Sequence, residues 1–172
     1  MNLQSTDFEL FGVPQQFAQD RVALDTQWKA LQAQAHPDKF AAQGATAQRI
    51  AMQWSVRINE AYQRLKEPIQ RAAYLCELNG APINAENNTA MPAEFLMQQM
   101  ELREALDDAS SEGNLDEISQ QAARILSEQL LKAERLIDQS KDYPAAAQAV
   151  RALMFIEKFQ RDIERRYDTI QN

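Results

Sequence analysis

Apolar side chains recur at three- and four-residue intervals through most of this chain, the spacing of helices with one buried face. The longest run is Ala149, Ala152, Ile156, Phe159, Ile163, Tyr167 and Ile170. Two further stripes are Val22, Leu24, Trp28, Leu31 and Ala35, then Ile50, Trp54, Ile58, Ala61, Tyr62 and Leu65. Four Gly and six Pro in 172 residues supply too few turns for many short strands. The expected fold class is all-α.

Punctuation divides the pattern into elements. A short turn over Asp7 to Phe11 halts at Gly12-Val13-Pro14, and the next helix starts after Asp20, a favourable N-cap. Pro37 pushes His36 out of the helical region, so that helix ends there. A loop through Gly44 leads to a long helix over Ala45 to Lys66. A short helix over Ile69 to Leu78 then stops at Asn79-Gly80. Residues 81–92 carry two Pro and three Asn without periodicity and read as a domain boundary. Three helices follow, over Ala93 to Ala109, Leu115 to Gln139 and Pro144 to Ile170, with breaks at Ser111 to Asn114 and Asp142 to Pro144. Short links make neighbouring helices antiparallel, so the second half reads as a three-helix bundle.

Charge follows the same division. Through Asn79 there are eight basic and eight acidic residues; from Gly80 onward there are ten basic and seventeen acidic, net −7. An acidic half argues against nucleic acid as a partner, because phosphate contacts need basic surface. One Cys and one His exclude a disulfide framework and a zinc site of His and Cys ligands. The start, MNLQSTDFEL, has no basic stretch before an apolar core and is not read as a signal peptide. No apolar run reaches the 18 residues of a membrane span, so no membrane association is expected.

The one histidine stands in His36-Pro37-Asp38, between two amphipathic helices. Alone, the tripeptide reads as a turn whose Asp caps backbone groups. Its context is more specific: Lys39-Phe40 follows, then Ile58-Asn59-Glu60-Ala61-Tyr62-Gln63-Arg64-Leu65, Pro68 and Arg71-Ala72-Ala73-Tyr74-Leu75. This ordered set resembles the J domain, the module through which J-proteins engage DnaK-type chaperones. The resemblance implies a helical hairpin with short flanking helices over residues 1–79. It also implies that His36, Pro37 and Asp38 trigger ATP hydrolysis in the partner without doing chemistry themselves. Asn59 and Glu60 read as a solvated edge. The helix before the tripeptide departs from the family pattern, since Lys29 is the only charge from Lys29 to Ala35 and Ala35 replaces a frequent aromatic residue. Arg21, Lys29 and Lys39 remain as basic docking candidates, which points to weaker docking on a dedicated chaperone.

The helix after residues 80–92 carries apolar residues on two sides. At about 100° per residue, Phe95, Leu102, Leu106 and Ala109 fall within roughly 40° of one line, the core face. Leu96, Met97 and Met100 lie on the outer side with Glu101, Glu104 and Asp108. For Leu96, cover by a neighbouring helix and exposure fit the pattern equally. Met97 and Met100 among three carboxylates fit a partner-binding face, with adaptable thioether contacts and an acidic rim. Phe155 projects about 80° from the centre of its own stripe and extends this patch if the helices lie side by side.

The order of J domain, short linker and acidic bundle is similar to the HscB type of J-protein, co-chaperones of iron–sulfur cluster biogenesis. Phe95-Leu96-Met97 followed by Glu101-Leu102-Arg103-Glu104 carries that resemblance. It implies that residues 93–172 bind the cluster scaffold IscU through Leu96, Met97, Met100, Glu101, Glu104, Asp108 and Phe155. The J domain would recruit the chaperone HscA. Asp108 is shorter than the Glu expected there. The Cys-bearing extension of eukaryotic relatives and a transit peptide are not seen, so a bacterial cytoplasmic protein is expected, with no metal or cofactor of its own. Cys76, in the apolar run Tyr74-Leu75-Cys76, reads as core, and Ile83 and Met91 as seam residues between rigidly joined modules. A J-protein serving another client and a plain helical or oligomerising protein are the rival readings. No enzyme site with nucleophile, base and orienting group can be assembled.

Overall fold

The computed structural model describes residues 2–84 and 91–171; residues 85–90 of the expected linker lie outside the described residues. Among the described residues there is no strand. The chain forms two compact units, Met1–Leu75 and Cys76–Asn172.

In the first unit, α1 (Asp7–Phe11) opens with a reciprocal cap. The Thr6 hydroxyl accepts from the Glu9 amide, and the Glu9 carboxylate accepts from the Thr6 amide. Gly12 closes α1 at φ 62°, a left-handed conformation that favours glycine. Helix α2 (Arg21–Ala35) begins at Asp20, whose carboxylate accepts from the amides of Val22 and Ala23. Helices α2 and α3 (Ala45–Lys66) form the hairpin, and α4 (Pro68–Leu78) follows with proline at its first position. Leu24, Leu31, Ile58, Ala61 and Leu65 are buried between them. Each such aliphatic side chain of Leu or Ile size contributes about 1.5–3 kcal/mol on leaving water. Aromatic stacking joins the elements: Trp28 lies on Tyr62 at 4.7 Å and Phe8 on Tyr74 at 5.7 Å between ring centroids.

Two expected core positions are corrected. Val22 is 72% exposed and Ile50 is 49% exposed. Val22 sits two residues from buried Leu24, about 200° round the helix, and the core line of α3 passes through Ala51 instead. The segment after His36 is also more ordered than a loop: Pro37–Gln43 is a 3-10 helix.

The second unit contains α5 (Ala93–Asp108), α6 (Glu112–Glu134) and α7 (Tyr143–Gln171). Helix α6 starts three residues before the expected position because the Ser111 hydroxyl accepts from the Asn114 amide, bringing Gly113 and Asn114 into the first turn. Its last turn loosens into a π-helical segment, Arg135–Gln139. Leu102, Leu106, Leu115, Ile118, Ile156 and Phe159 belong to one buried cluster. Ile83 is also buried here, and its carbonyl accepts from Arg151 Nε.

Candidate functional site

The first candidate site is the turn between α2 and α3. Proline at 37 ends α2, and His36 takes an extended conformation, φ −63° and ψ 126°. His36 Nδ1 accepts from the Asp38 amide at 3.2 Å and lies 3.6 Å from Asp38 Oδ2. With Nδ1 so engaged, Nε2 is the imidazole nitrogen left for an outside partner. The two side chains are 56% and 90% exposed, while Pro37 between them is half-buried and fixes the backbone. Lys39 is exposed, and its amide donates to the His36 carbonyl at 3.1 Å, closing the turn.

The basic docking candidates differ in availability. Lys29 is exposed. Arg21 donates to Asp25 at 2.9 Å and lies 5.9 Å from the centre of the Tyr62 ring. Hydrogen bonding to Asp25 raises its pKa, and hydrogen bonds from Tyr62 and Arg21 lower that of Asp25. Arg21 therefore offers a local dipole more than a free charge.

Two features here escaped the sequence reading. Asn59, taken as a solvated edge, is a clasp: its Oδ1 accepts from Trp28 Nε1 at 2.9 Å and from Gln32 Nε2 at 2.6 Å. Those bonds pin α2 to α3 below the turn. An open groove of about 630 Å³ also adjoins Pro37, with Met52 and Val56 exposed beside Arg49 and Arg57. A second apolar stripe on α3, four residues apart, was its only sequence signal.

The second candidate site is the outer face of α5. Leu102, Leu106 and Ala109 are buried, as expected. Met97 and Met100 are 61% and 66% exposed, and Glu101, Glu104 and Asp108 are all exposed. Leu96 is half-buried, between the two possibilities left open for it. Phe155 is half-buried; it meets Phe95 edge-on at 5.8 Å and stacks on Phe159 at 5.8 Å. Phe155 thus reaches α5 on the Phe95 side, with Arg103 5.5 Å from its ring centre.

Cys76 is fully buried, and burial pushes its thiol up to about 11. At pH 8 roughly one molecule in a thousand carries the thiolate. Alkylation of the native protein is therefore expected to be slow and to accelerate at least about a hundredfold on unfolding, measured by mass spectrometry of iodoacetamide adducts. Rapid native labelling would contradict the burial. Among the described residues no group of three or more His, Cys, Asp or Glu side chains is placed to hold a metal ion. No helix among them is long and apolar enough to cross a membrane.

Comparison with known proteins converges on one family. Residues 91–164 match the HSCB C-terminal oligomerisation domain. The chain is 48% identical over 166 residues to the co-chaperone protein HscB homolog of Burkholderia multivorans, covering 95% of this chain and 94% of that one. The homolog from Paraburkholderia xenovorans is 44% identical over 173 residues, covering 99% of each. Chaperone HscB from Vibrio cholerae superposes with a TM-score of 0.84 at 37% identity, over 96% of this chain and 99% of that one. Human co-chaperone HscB shares the fold, with a TM-score of 0.91 at 24% identity, over 100% of this chain and 86% of that one.

Proposed function

The chain belongs to the HscB family of co-chaperones of iron–sulfur cluster assembly, and on that premise we propose that it is an adaptor with two binding faces. Residues 93–172 hold the cluster scaffold IscU. Residues 1–79, the J domain, bring it to the DnaK-type chaperone HscA and stimulate ATP hydrolysis there; residues 80–92 link the two. The adaptor makes and breaks no covalent bond, and its compartment is the bacterial cytoplasm. His36, Pro37 and Asp38 contact the chaperone, with Lys29 and Lys39 free to add charge and Arg21 contributing less. Leu96, Met97, Met100, Glu101, Glu104, Asp108 and Phe155 contact the scaffold. Tethering turns the second binding event into a local one at raised effective concentration.

One observation carries the scaffold half of this reading. Two long apolar side chains on α5, Met97 and Met100, stay about two-thirds exposed among three exposed carboxylates while the opposite face of the same helix is buried. Isolated apolar residues on a surface mean little, but a pair with an acidic surround has the composition of a binding face with a selective rim.

Calorimetric titration with the scaffold tests it. The double variant Met97→Ala/Met100→Ala is expected to lose about 1–3 kcal/mol of binding free energy, as central interface anchors do. Both side chains are exposed, so the fold should be unaffected. Undiminished affinity in a folded variant would remove this face from the site. A second reading follows from the family description of the C-terminal domain as an oligomerisation domain. In that reading the methionine face meets a second copy, and sedimentation of the same variant separates the two.

A further inference from the structure

Three of the ten basic residues after Asn79 line one cavity of the second unit. This cavity, about 390 Å³, takes Arg103 from α5 and Arg151 and Lys158 from α7, with Phe95, Phe155 and Gln99 among its walls and no carboxylate among its lining residues. In a half with seventeen acidic residues, that is a separated island of positive charge. Its cations keep donors to spare. Arg151 gives Nε and Nη2 to the carbonyls of Ile83 and Pro82, two uses of a five-donor group. Arg103 pairs with Asp162 at 3.3 Å, but that carboxylate is shared with Arg165, so the local balance stays positive. Lys158 is exposed.

The cavity is continuous with the outer face of α5. Taking Met97 as zero at about 100° per residue, Glu101, Glu104 and Asp108 lie within roughly 40° of it. Met100 and Leu96 lie at about −60° and −100°, then Arg103 and Gln99 at about −120° and −160°, with Phe95 beyond. Moving round the helix, one crosses an acidic strip, an apolar strip and then the basic cavity walled by Phe155.

We propose that this cavity receives a carboxylate side chain of the scaffold, so that the scaffold docks through an acidic group beside its apolar contact and basic groups on the opposite side. This rests on the scaffold-binding reading above. A rim of both signs fixes orientation: docking turned half round would set carboxylate against carboxylate and guanidinium against guanidinium.

The test is titration of the full chain with the scaffold at about 50 mM and about 500 mM salt, where the screening length falls from above ten ångströms to a few. Lys158→Glu alters the cavity charge without removing an interior hydrogen bond, and Lys132→Glu makes the same change in net charge on α6, outside the cavity. At low salt Lys158→Glu is expected to bind about fivefold or more weakly than Lys132→Glu, the gap closing at high salt. Gln99→Lys is expected to bind more tightly than wild type. Equal affinities for Lys158→Glu and Lys132→Glu, or tighter binding by Lys158→Glu, would overturn the proposal while wild-type binding left the adaptor reading standing. Failure of the wild type to bind the scaffold would overturn the adaptor reading and this inference with it.

Discussion

His36→Gln is expected to reduce stimulation of the partner chaperone's ATPase to the basal rate, a loss of at least roughly tenfold, with little change in stability. Glutamine carries an oxygen that can accept from the Asp38 amide as His36 Nδ1 does, so the turn survives the substitution. What disappears is the imidazole with its outward Nε2. The side chain is more than half exposed and is not part of the buried core, so the folded chain scarcely depends on it. A chaperone that alternates between two conformations responds only to a ligand that contacts them differently. A rigid turn suits that task. Pro37 fixes the backbone, the 3-10 helix continues it, and the Asn59 clasp holds the hairpin beneath. Steady-state ATPase assays with scaffold binding measured in parallel check the result. Retained stimulation would reduce the tripeptide to a turn; joint loss of stimulation and scaffold binding would point to general misfolding.

How much of this was legible in the sequence depended on how local the signal was. Helix ends were legible where the punctuation is strong and local, as at Gly12, Asp20 and Pro37, whereas the hydroxyl caps Thr6 and Ser111, common residue types, went unread. The outer face of α5 was legible too, because a helix wheel separates buried Leu102 and Leu106 from exposed Met97 and Met100. Val22 and Ile50 failed for the complementary reason. A wheel finds arcs of apolar residues and does not say which arc another element covers. Pairings between distant residues left little trace, Phe155 off its own stripe being the exception, and its partner on α5 was not specified. Asn59 meets Trp28 across 31 residues, and Phe155 finds Phe95 only because α7 lies beside α5. The cationic cavity belongs to this class: Arg103 and Lys158 are 55 positions apart, and their convergence is a property of packing.

The largest stability effect is expected at Asp7, whose place as an acidic first-turn residue of α1 resembles an ordinary helix-dipole contact. Its side chain is fully buried. Arg64 clamps both carboxylate oxygens at 2.6 and 3.0 Å, and Arg57 Nη1 lies 2.8 Å from Oδ1. The Asp7 amide donates to the Tyr74 hydroxyl at 3.0 Å, and Arg57 also donates to the carbonyls of Leu3 and Ser5. Asp7 thus ties α1 to α3 through its carboxylate and to α4 through its backbone amide. Asp7→Asn keeps the shape but leaves two guanidiniums without their counter-charge. The Arg57 side chain is only 16% exposed, so water cannot fully replace the partner; Arg64, at 40%, recovers more. Removing one member of a buried pair costs about 3–5 kcal/mol when the survivor is sealed, so partial exposure here puts the expected loss at about 3 kcal/mol. Trp28 and Trp54 are the chain's two tryptophans and both lie in the first unit, so their fluorescence in a urea titration reports that unit alone. A lower midpoint in this signal with unchanged scaffold affinity is the expected pattern. A loss below about 1 kcal/mol would mean that the cluster contributes no more than an exposed ion pair. Because α3 carries both arginines and also forms one arm of the hairpin, loosening this anchor should weaken presentation of His36 before it affects the other unit.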